Sequence, residues 1–220
     1  MQEYAAPFRF EATLRGEPLL VVSKPGLAGG RELGAAASLC AELVAPAPAE
    51  RVLLLGCGNG ALGVALARQL AAGSLTLHDP SLIALRMAAA TLAANGVTGA
   101  RVSERISLLP DEAGQFDRVL LLAPQSRALG RRWLVEAHGL LRPGGLLHVA
   151  GARDAGVQPL IADAAALFGG AHLLGYGGGS RVSESLRAAE APAPPAWASE
   201  PGVAPGSWIE LAAALPGGPV

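Results

Sequence analysis

The sequence predicts an α/β fold, a mostly parallel sheet with helices on both faces. Three observations predict it. Short apolar runs, such as Val52–Leu55 and Arg118–Leu122, recur between Ala/Leu-rich segments of helical spacing. The runs are nearly continuous instead of alternating polar with apolar, as expected for strands covered on both sides. A glycine turn, Gly56-Cys57-Gly58-Asn59-Gly60, joins the first run to the first of these helices.

The elements follow in order. Phe8–Leu14 and Leu19–Ser23 read as two strands around Arg15-Gly16-Glu17-Pro18, a hairpin. Lys24–Gly30 is a turn-rich loop, and Glu32–Val44 an amphipathic helix broken by Pro46 and Pro48. From Arg51 the alternation begins: strand Val52–Leu55, helix Ala61–Ala72, strand Leu75–His78 and helix Ser81–Ala94, closed by Asn95-Gly96. Strands Arg101–Ser103 and Arg118–Leu122 come next. Helix Arg127–Leu141 is stopped by Arg142-Pro143-Gly144-Gly145, and strand Leu146–Ala150 precedes helix Val157–Phe168. Ala171–Tyr176 and Arg181–Leu186 are strands joined by Gly177-Gly178-Gly179, too tight for a crossover helix. The last strand must therefore run antiparallel.

Three regions result. Residues 1–50 form a hairpin and helix lead-in packed on the core, residues 51–188 the α/β domain, and residues 189–220 a tail. The tail carries seven prolines and reads as a semi-extended linker, with Trp197 and Trp208 as docking points.

Composition narrows the function classes. The 220 residues are 51% hydrophobic, enough for a sizeable core. A net charge of −1 gives no global attraction to nucleic acid, so any such contact needs a local patch. Two cysteines, Cys40 and Cys57, make no disulfide framework and suit a reducing, cytoplasmic compartment. His78, His138, His148 and His172 are scattered, so no metal site is expected. Apolar stretches are interrupted by charges before they reach membrane-spanning length.

The glycine turn sets bare backbone N–H groups and a helix N-terminus against a ligand. Gly56, Cys57, Gly58, Asn59 and Gly60 are the candidate binding loop. Asp79 follows the second strand of the α/β region, 23 residues after Gly56, where an acidic side chain meets a ribose diol. Two cofactor classes share this logic. With Ala61 the loop also satisfies the dinucleotide pattern G-x-G-x-x-A, which would suit an NAD(P)-dependent oxidoreductase. Against that, there is no Tyr-x-x-x-Lys pair, and Lys24 is the only lysine.

The loop resembles the first motif of class I S-adenosylmethionine (SAM)-dependent methyltransferases. Leu92-Ala93-Ala94-Asn95-Gly96-Val97 is similar to the LAANGV run of the methyltransferase-small family. Phe116-Asp117, Leu140-Leu141-Arg142-Pro143-Gly144-Gly145 and the antiparallel final strand fit the same fold. Lys24-Pro25-Gly26-Leu27 and Arg31-Glu32-Leu33-Gly34 resemble the lead-in of small-subunit ribosomal RNA guanine-N2 methyltransferases. Phe168-Gly169 and Ser180-Arg181-Val182 resemble that family's closing hairpin. The resemblance covers roughly residues 8–188. It implies a Rossmann-like seven-stranded sheet, SAM as cofactor, ribosomal RNA as partner and methyl transfer to a guanine exocyclic amine. The family joins two methyltransferase-like halves, the N-terminal one degenerate, so it also implies a C-terminal catalytic half as partner.

The chain departs from that family at the catalytic motif. Where the family has Asn-Pro-Pro-aromatic, this sequence has Leu122-Ala123-Pro124-Gln125. Pro124 and Gln125 are the remaining catalytic candidates. Gln125 reads either as an amide carbonyl accepting from an amino group or as a solvated residue opening a helix. Leu54 stands where the family has an acidic residue two positions before the first glycine. Glu104 reads either as an acceptor for the adenine amino group or as an exposed residue beside Arg105. Arg127, Arg131 and Arg132 read either as a grip on an RNA backbone or as a solvated helix face. Two functions therefore stand side by side: the methyltransferase, and a non-catalytic half that docks RNA or stabilises a catalytic partner.

Overall fold

A computed structural model describes residues 6–27, 30–103, 113–190 and 192–204. The chain orders as β1 (Phe8–Leu14), β2 (Glu17–Ser23), α1 (Ala35–Leu43), β3 (Arg51–Leu55), α2 (Ala61–Ala67), β4 (Ser74–His78), α3 (Leu82–Ala94), β5 (Ala100–Ser103), β6 (Phe116–Leu122), α4 (Arg127–Leu140), β7 (Leu141–Ala152), α5 (Val157–Phe168), β8 (His172–Gly177) and β9 (Ser180–Leu186). A short 3₁₀ turn, Ala196–Ser199, lies in the tail.

The main sheet has seven strands in the order β5-β4-β3-β6-β7-β9-β8. β3 is parallel to both its neighbours, and β6 to β7. β9 inserts between β7 and β8 and is antiparallel to both, as the tight glycine link requires. The side-chain period of two explains the continuous apolar runs. Along β3, Val52 and Leu54 enter one core with α1, α2 and α3, while Leu53 and Leu55 enter the other with α4 and α5. Both faces of β3 are buried, and both carry apolar side chains from Val52 to Leu55.

The structure shifts three expected boundaries. The helix expected over residues 61–72 ends at Ala67, because Gln69 and Leu70 tighten into i→i−3 bonds. The helix expected over residues 32–44 starts at Ala35, after an extended Gly34 with no side-chain cap. Arg142-Pro143-Gly144-Gly145 does not separate helix from strand. β7 already starts at Leu141, opposite Phe116, and the pairing resumes at Arg118 with Leu146. The turn residues are a bulge inside the strand. Asp117 pins that bulge, one carboxylate oxygen accepting from Arg142 Nε at 2.5 Å and the other from the Arg51 N–H at 2.7 Å.

β1 and β2 form a separate two-stranded sheet held by side chains of α3. The Thr91 hydroxyl accepts from Val22 N–H at 2.9 Å and donates to Val22 C=O at 3.1 Å. The Asn95 amide repeats the pattern, accepting from Leu20 N–H at 3.0 Å and donating to Leu20 C=O at 2.8 Å. Two side chains one helical turn apart thus imitate a neighbouring strand.

Thr91→Val keeps the volume and removes both bonds, leaving the buried Val22 amide and carbonyl without that partner. We expect a loss of about 1–3 kcal/mol in denaturant unfolding, with hydrogen exchange at Leu20 and Val22 accelerating ahead of exchange in β3.

Candidate functional site

β3, β4, β6 and β7 run parallel, so residues 56–60, 79–81, 123–126 and 153–156 collect at one rim. This is the edge where ligands enter open α/β sheets. The glycine loop is tied down chiefly by one carbonyl and one carboxylate. His78 C=O accepts from both Gly56 N–H (2.9 Å) and Cys57 N–H (3.1 Å). Asp79 accepts from Gly58 N–H at 3.0 Å through one oxygen and from Ser81 N–H at 2.9 Å through the other. A carboxylate offers about four lone-pair directions. Two serve the loops, and two remain for a diol at the half-buried rim.

The glycines of the loop have different tasks. A Cβ at Gly60 would lie 2.7 Å from Ala88 Cα, and one at Gly56 2.8 Å from Leu122 O and 3.2 Å from the Trp133 ring. Those two positions let α3 and β6 approach the loop. Gly58 has φ +53° and nothing within 4 Å of a built Cβ, so it borders open space. The Cys57 side chain turns inward, its thiol donating to Gly58 C=O at 4.0 Å. Its thiol is buried in the core, and burial raises its pKa far above the ordinary range, with the Asp79 charge adding to the rise. The Asn59 side chain faces the helix start, accepting from Ala61 N–H at 3.2 Å.

The other predicted residues divide. Leu54 is fully buried in the core beside α1 and α2. Glu104 lies outside the described residues. Pro124 is half-buried and Gln125 exposed. Ser126, next along, caps α4 by accepting from Leu129 N–H at 3.3 Å. His78 is buried beneath the loop with its ring edge-on to Trp133, and burial lowers its pKa, so it is neutral near pH 7.

The arginines of α4 neither form a free grip nor a merely solvated face. Arg127 and Arg131 each reach Asp163 of α5 with two bonds, at 2.9 and 3.0 Å and at 3.1 and 3.2 Å. Arg132 pairs with Glu136 at 2.9 Å, one turn along its own helix. Arg131 also stacks over Trp197, 4.9 Å from the ring centre, and meets Glu200 at 3.5 Å. The tail is thus docked at Trp197. Trp208, the other expected docking point, lies outside the described residues. Burial alone would raise the Asp163 pKa. The hydrogen bonds and charges of Arg127 and Arg131 outweigh it and hold the carboxyl below its ordinary value.

Among the described residues no helix is long and apolar enough to cross a membrane, and no His/Cys/Asp/Glu cluster has metal-site geometry.

With this geometry established, comparison with known proteins adds the following. The family model described as methyltransferase small domain matches residues 18–180. The chain is 32% identical to the ribosomal RNA small subunit methyltransferase C of Pseudomonas entomophila over 160 residues, which cover 70% of this chain and 47% of that protein. It is 37% identical over 123 residues to the ribosomal RNA large subunit methyltransferase G of Streptomyces coelicolor, covering 52% of this chain and 32% of that protein. Among solved structures, a T. thermophilus 16S rRNA N2 methyltransferase in complex with AdoMet and guanosine matches with a TM-score of 0.64 and 26% identity. That match covers 89% of this chain and 48% of the other. The chain therefore spans less than half the length of these relatives.

Two substitutions separate the roles of the glycines. Gly60→Ala drives a methyl into Ala88 and should cost about 2 kcal/mol or more of stability. Gly58→Ala should fold with a penalty of about 1–2 kcal/mol, from its left-handed backbone alone. Thermal unfolding of the two variants checks the difference. The Asp163 pair predicts a pH response. Because the folded-state pKa is depressed, this stabilisation is complete above the unfolded-state value near 3.9 and is lost as pH falls through the folded value. Asp163→Asn should cost about 2 kcal/mol at pH 7 and flatten the loss of stability below pH 4, measured by urea unfolding across pH.

Proposed function

The chain belongs to the methyltransferase small-domain family, and on that premise we propose that it is a SAM-binding domain of the ribosomal RNA guanine-N2 methyltransferase type. The observation that carries the reading is Asp79 at the rim, one oxygen bonded to the glycine loop and the other to Ser81, with two acceptor directions unspent. When bound, SAM would supply an electrophilic methyl group on a sulfonium. The residues that would hold it are the Asp79 carboxylate and the loop of residues 56–60, the latter by its shape and not by the bare N–H groups the sequence suggested, because the N–H groups of Gly56, Cys57, Gly58 and Gly60 are already bonded within the protein. Leu54 stands where the family has an acidic side chain for the amino-acid end, and it is buried in the core.

The substrate corner is weaker than the cofactor corner. Methyl transfer to an exocyclic amine is chiefly a matter of positioning, with acceptors for the amine hydrogens and a stacking face for the base. At the end of β6 the side chains of Leu122, Ala123 and Pro124 offer no acceptor. Gln125 carries the one amide carbonyl, and it is exposed. This corner favours a second reading: a half that keeps the fold and the cofactor pocket, docks ribosomal RNA, and supports a catalytic partner half. A cytoplasmic location follows from either reading.

Calorimetric titration with S-adenosylhomocysteine, with NAD(H) as control, tests the cofactor. The reading predicts micromolar binding of S-adenosylhomocysteine alone, weakened at least tenfold by Asp79→Ala. Binding of neither ligand would overturn it. A methyl-transfer assay on ribosomal RNA then separates the two functions: turnover by this chain supports the enzyme, and binding without turnover supports the docking half.

A further inference from the structure

Tyr176 lies on β8, an edge strand, and is 79% exposed. Among the described residues no other Phe, Tyr or Trp is exposed. An aromatic side chain can bury roughly 150–250 Å², and this one forgoes most of that gain.

Its surroundings are polar and cationic. Arg181 is its direct partner across β8 and β9, so the two side chains leave the same face of the sheet. Arg181 is half-buried, and its guanidinium faces the Gln158 amide of α5, whose oxygen, with the amide turned toward it, accepts from Nη2 at 3.1 Å and Nη1 at 3.3 Å. A guanidinium has five N–H donors, and further ones remain. Arg153, just past β7, donates its backbone N–H to Gly179 C=O at 2.9 Å, which fixes the hairpin turn to the loop after β7. Its side chain points into solvent. Asp154, the next residue, is exposed with it, so Arg153, Arg181 and Asp154 together carry one net positive charge. All of this sits at the rim that also holds residues 122–125. A chain with a net charge of −1 needs such a local patch to meet a polyanion.

We propose that the β8–β9 hairpin is a docking surface for single-stranded RNA: Tyr176 stacks on an unpaired base, and Arg181 and Arg153 bind the phosphates beside it. An exposed ring with flanking guanidinium groups is the arrangement that holds unpaired bases without reading their sequence. The inference rests on the reading that the chain works on RNA, and it adds where the RNA lies.

Fluorescence anisotropy of a labelled single-stranded RNA oligonucleotide, titrated with the full chain, is the test. Tyr176→Ala should weaken binding roughly tenfold or more, and Tyr176→Phe should stay close to the parent, because stacking needs only the ring. Arg181→Gln should weaken binding and lower the salt slope by about one. Titration with S-adenosylhomocysteine should be unaltered in all three variants. Equal RNA binding by Tyr176→Ala and the parent would overturn the proposal, as would no RNA binding by the parent. A change in oligomeric state in Tyr176→Ala with RNA binding intact would mark the ring as a protein contact and overturn it too. Loss of S-adenosylhomocysteine binding alongside Tyr176-dependent RNA binding would remove the cofactor reading and leave this one standing.

Discussion

Much of the rim depends on one carboxylate accepting two backbone N–H groups. Asp79 joins the glycine loop after β3 to the start of α3 after β4, through Gly58 and Ser81. The His78 carbonyl, one residue earlier, holds the other end of the same loop. A loop of this composition has large conformational entropy, and fixing it costs roughly 1–2 kcal/mol per residue. Charge-assisted bonds from backbone amides offset part of that cost before any ligand arrives. The residue expected to meet a ribose therefore first organises the loop that would meet the rest of the cofactor. Both tasks use the same carboxylate without competing, because each oxygen accepts more than one bond.

Sequence order made the sheet legible because its information is local. Period-two burial on both faces leaves continuous apolar runs, and a glycine turn of the right length marks the strand-to-helix corner. The antiparallel last strand followed from loop length alone. What the sequence hid is non-local. Thr91 reads as a helix residue and Asn95 as part of the stop that follows, yet their partners lie 69 and 75 positions away. Asp163 reads as a polar residue in a helix, and only packing places it between two arginines of α4. The Pro-Gly-Gly signal was strong and marked a real irregularity. It did not mark a strand's beginning, since a break in pairing and a break in the strand look alike in one dimension.

The motifs that carry the family resemblance have a structural share that their names conceal. Asn95 holds the N-terminal hairpin, Asp117 and Arg142 pin the β7 bulge, and Gly60 admits α3. Residues recognised as signatures of a chemistry here hold the scaffold for it. The positions where this chain departs from the family it resembles are not uniform in this respect: Leu54 and Leu122 pack in one core, Ala123 lies against the other, and Gln125 is exposed.

The side-chain clamp from α3 has one more consequence. A two-stranded sheet has two open edges, each a template for pairing with another chain. On the β2 edge, the amides and carbonyls of Leu20 and Val22 are occupied by Asn95 and Thr91. On the β1 strand, Arg9 and Glu11 project charge into solvent. The hairpin is thereby protected against intermolecular strand addition on both sides, by a hydrogen-bonding mimic on one and by charge on the other. Loosening the clamp would expose an apolar strand, Leu19 to Val22, to neighbouring chains, so colloidal behaviour and folding stability are governed at this edge by the same two side chains.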